Sequence, residues 1–178
     1  MPRNDKQRIF GIIGRSGSGK THLISRLIPF FRQSGLSVST IKHTHHGVDM
    51  DKPGKDTFLH REGGATEVML ATPDRWVLQH ECSTPPVLDE LLAAMLPVDL
   101  VLVEGFHADV PACLEVWRSV TGKDPLFTNE KQITAIATDS SASLHIPNGT
   151  TVFSIEDIQS IACYIQQQAF LWSFSQKP

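Results

Sequence analysis

The apolar run Ile9-Phe10-Gly11-Ile12-Ile13 passes directly into Gly14-Arg15-Ser16-Gly17-Ser18-Gly19-Lys20-Thr21, and from there into an amphipathic segment. The eight residues fit G-x-x-x-x-G-K-[ST], a loop that binds a phosphate chain through backbone N–H groups while its glycines let the chain curl without Cβ clashes. The run before the loop reads as a central parallel strand covered on both faces. After it, Leu23, Ile24, Leu27, Ile28 and Phe31 recur at helical spacing, and Gly35 stands as a C-terminal stop. Pro29 predicts a kink in the last turns or an early end, because its ring clashes with the Ser25 carbonyl. Strand, loop and helix together predict nucleotide binding. Lys20 would reach the β- and γ-phosphates, Thr21 would hold Mg2+ through its hydroxyl, and the helix N-terminus would add its positive dipole end.

Composition narrows the rest. With 178 residues, 40% of them hydrophobic, the chain suits a single P-loop nucleotide-binding domain over residues 1–178. A net charge of −3, with no Lys/Arg cluster, argues against a nucleic-acid partner. Cys82, Cys113 and Cys163 lack C-x-x-C spacing and read as reduced thiols. The charged N-terminal segment has no apolar h-region, and no run approaches the ~20 apolar residues of a membrane span, so the expectation is a cytoplasmic protein with no membrane partner.

Along the chain, residues 36–42 alternate like a second strand, and residues 43–56 form a polar loop dense in titratable groups. A short helix over 56–62 and strands over 66–71 and 75–80 follow, the strands reading as an antiparallel pair that makes the sheet mixed. Leu88, Leu91, Leu92 and Met95 mark another helix. The apolar run 99–105 ends in Glu104, where a Walker-B acid would face Mg2+ or orient a water; the type is more often Asp. Residues 114–118 alternate like an edge strand. Residues 133–138 read as a buried strand ending at Asp139, which fits either a plain turn or a guanine reader accepting the base's N1–H and 2-amino group. A strand over 151–154 precedes a helix with Ser154 and Asp157 spaced as a capping box, and an aromatic tail from 170 to 174 closes on the body or on a second subunit. The pattern is α/β, a P-loop NTPase-like three-layer fold with a mixed, mostly parallel sheet flanked by helices.

The stretch Ile41-Lys42-His43-Thr44-His45-His46, continued by Asp49-Met50-Asp51-Lys52-Pro53-Gly54-Lys55-Asp56, and the segment Leu102-Val103-Glu104-Gly105-Phe106 add a further signal to the P-loop. In these the chain resembles the MobB family, the molybdopterin-guanine dinucleotide biosynthesis adaptor proteins. The resemblance spans essentially the whole chain and is loose after Gly122. It implies a GTP-binding protein with at most slow GTPase activity, usually a homodimer. Such a protein works beside the nucleotidyltransferase MobA, which attaches GMP to molybdopterin to make the guanine dinucleotide cofactor. One departure is His22 after Thr21, where a second Thr or Ser is common; the Mg2+ ligand itself is kept.

On this reading Lys20 and Glu104 are the catalytic candidates, and residues 14–21 with Asp139 bind the nucleotide. Asp49 and Asp51 join Thr21 and Glu104 as candidate Mg2+ ligands. Lys42, His43, Lys52 and Lys55 are candidates for contact with the cofactor or a phosphate, their cations suiting an anionic pterin phosphate. Two alternatives stand beside it. A small-molecule kinase on the same fold would need an arginine-rich lid, whereas Arg61, Arg75 and Arg118 are isolated in sequence and Arg15 is the one candidate for an arginine supplied in cis. A metallochaperone NTPase would use His43, His45 and His46, of which an extended segment turns two to one side and one to the other.

Overall fold

A strand with apolar side chains on both faces must be covered on both faces, and the computed structural model places the first strand accordingly. It describes residues 6–44, 47–48, 50–106, 109–140, 145–147 and 149–173. In chain order the elements are β1 (Lys6–Ile13), α1 (Lys20–Gln33), β2 (Val38–Lys42), α2 (Asp56–Glu62), β3 (Glu67–Ala71), β4 (Trp76–His80), α3 (Leu88–Ala94), β5 (Leu100–Glu104), β6 (Cys113–Trp117), a 3-10 turn at Ser119–Thr121, β7 (Ile133–Thr138), β8 (Thr151–Ser154), α4 (Ile158–Gln168) and β9 (Phe170–Ser173). They divide into two compact units, one of residues 1–43 with 88–178 and one of residues 44–87.

The larger unit is built on a seven-stranded sheet with the order β2-β5-β1-β6-β7-β8, to which β9 adds beside β1. Neighbours along that order run parallel, and β9 runs antiparallel to β1. Successive side chains of a strand point to opposite faces. Phe10 and Ile12 therefore pack with Leu23, Leu27 and Phe31 of α1 and Ile161 and Ile165 of α4, while Ile9 and Ile13 pack with Leu88 and Leu92 of α3 on the other face. Each of these side chains contributes roughly 1.5–3 kcal/mol on leaving water, so the strand that delivers the P-loop is anchored from both sides.

Four expectations change. The early end at Pro29 does not occur: the helix runs through it to Gln33 with the ring on the exposed face, and the stop comes at Gly35 as its position predicts. There Gly35 N–H donates to Arg32 O (3.1 Å) and Leu36 N–H to Phe31 O (3.0 Å), the paired bonds of a Schellman end. Residues 114–118 are not an edge: β6 lies inside the sheet between β1 and β7 with all five residues buried. The antiparallel pair β3–β4 makes a sheet of its own, and the mixed character of the main sheet comes from β9. The last helix is capped by Asp157, whose Oδ1 accepts from Ser160 N–H at 3.0 Å, rather than by Ser154. Ser154 lies in β8 and the chain turns once more before the helix begins.

In the unit of residues 44–87, α2 leads into the β3–β4 hairpin, paired from Glu67↔His80 to Ala71↔Trp76. Thr72 closes the hairpin's tight end. Its N–H and its hydroxyl each donate to Arg75 O at 2.8 Å. Met69, Leu70, Trp76, Val77 and Leu78 are exposed along the two strands.

Candidate nucleotide site

The C-terminal ends of the parallel strands carry the site, as the doubly wound architecture requires. β1 ends at Ile13, and the chain turns through Gly14, where any Cβ would collide with the Val116 carbonyl oxygen of β6. Gly19, with φ of 100°, caps α1 without a side-chain hydrogen bond, leaving that helix end to backbone groups. Ser18 Oγ is buried beneath the loop with no hydrogen-bond partner among the described residues. Lys20 folds back over the loop and donates to Gly14 O (2.8 Å) and Arg15 O (3.0 Å). Burial lowers the Lys20 pKa below the usual lysine value, against the opposing pull of Glu104. A half-buried ammonium held by carbonyl dipoles alone is poised for an anion.

Glu104 is where the strand-end reading placed it. Its backbone pairs with β1 and β2 together, Ile12↔Glu104 and Lys42↔Glu104. The carboxylate accepts from Thr21 Oγ1 at 3.3 Å on each oxygen. Lys42 Nζ stands 3.6 Å from Oε1. The Thr21 hydroxyl and the Glu104 carboxylate are hard oxygen donors meeting beside the P-loop, a set that suits Mg2+. His43 continues the same edge: its N–H donates to Glu104 O at 2.8 Å, and its ring lies 4.3 Å from that of Phe106. The close approach is possible because residue 105 is glycine with φ of 99°, where a Cβ would lie 2.9 Å from His43 Cβ.

The other described candidates have partners of their own. Asp139, at the end of β7, accepts from Arg118 Nε at 2.9 Å. Asp51 lies in the unit of residues 44–87, where it accepts from Thr57 Oγ1 (2.8 Å), Gln79 Nε2 (2.9 Å) and Arg61 Nε (3.3 Å). The Gln79 bond foremost, with Thr57 and Arg61, holds its carboxyl below the usual carboxylate range. Lys52 and Lys55 are exposed in that unit, Lys55 N–H donating to Lys52 O at 3.1 Å just before α2. Asp49, His45 and His46 lie outside the described residues. Among the described residues no three His, Cys, Asp or Glu side chains gather as a metal cage.

Two residues that pattern reading passed over prove central to the loop's support. Glu115 of β6 is wholly buried, and its oxygens accept from the N–H groups of Leu126 (2.8 and 3.0 Å) and Phe127 (2.9 Å). Burial pushes its carboxyl up, opposed by those two N–H bonds. Trp117 Nε1 donates to Lys123 O at 2.9 Å, and Arg15 Nε reaches Asp124 O at 3.4 Å, so the segment after β6 is tied to both the sheet and the P-loop. Arg118 is the second. A Cβ on Gly19 would come within 3.9 Å of its Cδ, so a residue that stood isolated in sequence lies beside the phosphate loop.

The family model described as Molybdopterin guanine dinucleotide synthesis protein B, MobB, matches residues 9–139, from β1 to the end of β7. The chain belongs to the MobB family. Two curated relatives are named molybdopterin-guanine dinucleotide biosynthesis adapter protein. The one from Haemophilus influenzae is 36% identical over 166 residues, covering 92% of this chain and 90% of the relative. The one from Escherichia coli is 34% identical over 155 residues, covering 84% and 86%. A crystal structure of molybdopterin-guanine biosynthesis protein B superposes with a TM-score of 0.70 at 26% identity, covering 89% of this chain and 98% of the other. The MobB match thus takes in the P-loop, the Glu104 edge, the hairpin unit and Asp139, and stops short of β8, α4 and β9.

Proposed function

We propose that this MobB-family chain binds Mg2+ and GTP on residues 14–21 and serves as an adaptor in molybdenum cofactor biosynthesis. It would assist a MobA-type nucleotidyltransferase in converting molybdopterin to molybdopterin guanine dinucleotide in the cytoplasm, with at most slow GTPase activity of its own. The observation that carries the site is the approach of Thr21 Oγ1 to both oxygens of Glu104 at the start of α1. Thr21 and Glu104 would hold the metal ion, which would supply neutralisation of phosphate charge there. Lys20 exchanges the Gly14 and Arg15 carbonyls for phosphate oxygens, a trade favoured by its partial burial. Lys42 shares the carboxylate and keeps the strand edge cationic. Slow turnover fits a site whose acid is already held by Thr21 and Lys42 rather than free to activate water.

Both units serve this one function in our reading. Lys52 and Lys55 offer the anionic cofactor a cationic surface, and the exposed apolar side chains of β3 and β4 support a homodimer. The test is equilibrium binding of fluorescent GTP and ATP analogues with and without Mg2+, using Lys20→Ala as control, followed by guanine dinucleotide formation with the transferase at limiting GTP. A Mg2+-dependent preference for GTP that Lys20→Ala removes, together with faster dinucleotide formation when the chain is added, is the expected result. No effect on the transferase at limiting GTP would refute the adaptor role.

A further inference from the structure

Arg118 and Asp139 are the first residues beyond two paired strands. β6 and β7 run parallel with Trp117 opposite Thr138, so the next residue of each strand emerges at the same edge of the sheet. Their side chains close on each other there, Nε to Oδ2 at 2.9 Å, with 41% of the Arg118 and 32% of the Asp139 side chain exposed. Thr138 shapes the turn that presents the acid, its hydroxyl accepting from Ser140 N–H and donating to Ser140 O, each at 3.1 Å. The arginine's stem lies beside the phosphate loop: a Cβ on Gly19 would come within 3.9 Å of Arg118 Cδ and 3.8 Å of Ile155 Cδ1. One arginine thus holds the candidate base reader with its guanidinium while its stem passes close to the phosphate loop.

We propose that Arg118 couples recognition of the base to recognition of the phosphates. The inference rests on reading residues 14–21 as a GTP site. Without nucleotide, Arg118 occupies the carboxylate of Asp139. Guanine brings two donors, N1–H and the 2-amino group, and takes the carboxylate over. The released guanidinium then turns to the phosphate chain lying on Gly19, where a planar cation with several N–H donors makes charge-assisted bonds. Adenine has an acceptor at N1 and no 2-amino group, so its single 6-amino donor cannot make the paired bonds that displace a cation from the carboxylate. Arg118 stays on Asp139 and the adenine nucleotide binds without it. Discrimination between the purines is therefore larger for nucleotides than for nucleosides, because the wrong base forfeits a phosphate contact as well.

The coupling makes base and phosphate affinities respond in opposite directions to loss of the arginine. In Arg118→Ala the carboxylate is free in advance; a partly exposed ion pair no longer has to be broken, so guanosine binds up to about fivefold more tightly. GDP shares that gain but loses a charge-assisted contact of about 1.5–3 kcal/mol, so on balance it binds about threefold to thirtyfold more weakly. The experiment is titration of guanosine, GDP and ADP, in Mg2+, into wild type, Arg118→Ala and Arg118→Lys, with far-ultraviolet circular dichroism as the check on folding. ADP affinity should change less than twofold, roughly the size of an exposed charge effect. The lysine variant keeps the charge without the fork and should show the same two opposite shifts at smaller size, which preserves the test if the alanine variant does not fold. Guanosine and GDP shifting in the same direction, or neither shifting, overturns the coupling while leaving the GTP site in place. Wild type that binds no GDP at all overturns both.

Discussion

Gly105→Ala tests whether the nucleotide site depends on the close meeting of the β2 and β5 ends. The residue has φ of 99°, and a Cβ there would stand 2.9 Å from His43 Cβ and 3.2 Å from His43 O. Holding an alanine in that backbone region costs about 1–3 kcal/mol. Relieving the contact means moving His43, whose N–H is bonded to Glu104 O at 2.8 Å, so crowding adds about 1–3 kcal/mol more. The expected loss is about 2–6 kcal/mol, a large share of the ~5–15 kcal/mol that holds a typical domain together. Because the movement pulls on Glu104, the variant should also lose Mg2+-dependent nucleotide affinity out of proportion to Mg2+-free affinity. Urea unfolding measures the first effect, read as a midpoint shift at unchanged slope, and nucleotide titration with and without Mg2+ measures the second. A loss below about 1 kcal/mol with the Mg2+ dependence intact would show that the strand ends tolerate separation and that Glu104 is positioned by something else.

Three further outcomes are expected. Glu115→Ala leaves the N–H groups of Leu126 and Phe127 without their buried acceptor; at roughly 1–3 kcal/mol for each orphaned donor, stability to urea should fall by about 2–6 kcal/mol. Asp51 has its carboxyl held below the usual range, so the folded form binds fewer protons than the unfolded form between the two pKa values. Its stabilising contribution is complete above the unfolded value and is lost as pH falls through the folded one. Asp51→Asn should accordingly weaken the hairpin unit at neutral pH and differ less from wild type as acid is added, followed by the urea response of β3 and β4 amide resonances at several pH values. Cys113 is buried with its thiol pushed up to about 12 by burial, whereas Cys82 and Cys163 are exposed. A thiol reagent at pH 8 should label the two exposed cysteines of the native protein promptly and Cys113 on the timescale of unfolding.

What could be read from the sequence was what short spacing encodes. The P-loop, its strand and its helix follow from neighbouring residues, and Glu104 from an apolar run that ends in a carboxylate, so the heart of the candidate site was visible before any coordinates. Residues whose role depends on distant chain were not. Glu115 made β6 look like an edge strand, because a carboxylate in an alternating run signals solvent unless its partners, eleven and twelve residues on, are known. Arg118 stood alone because its pairing with Asp139 and its place beside Gly19 come from strand pairing and loop packing. The partners of Asp51 were likewise out of view, because Thr57, Arg61 and Gln79 are gathered around it by a helix and a hairpin. Pro29 misled in the opposite sense: a strong local rule gave way to a helix anchored by Leu23, Leu27 and Phe31.

The pairing of β1 with β9 has a bearing on how the protein is made. One side of β1 is shared, residues 11–13 with β6 and residues 6–9 with β9, so β1 is completed by a strand translated well after it, from beyond residue 169. Until then the backbone of residues 6–9 is an open template next to an apolar segment, the kind of edge that recruits a neighbouring chain. Nascent chains arrested before Phe170, and truncations that remove it, should therefore be the aggregating species of this protein even though every residue of the P-loop is already in place.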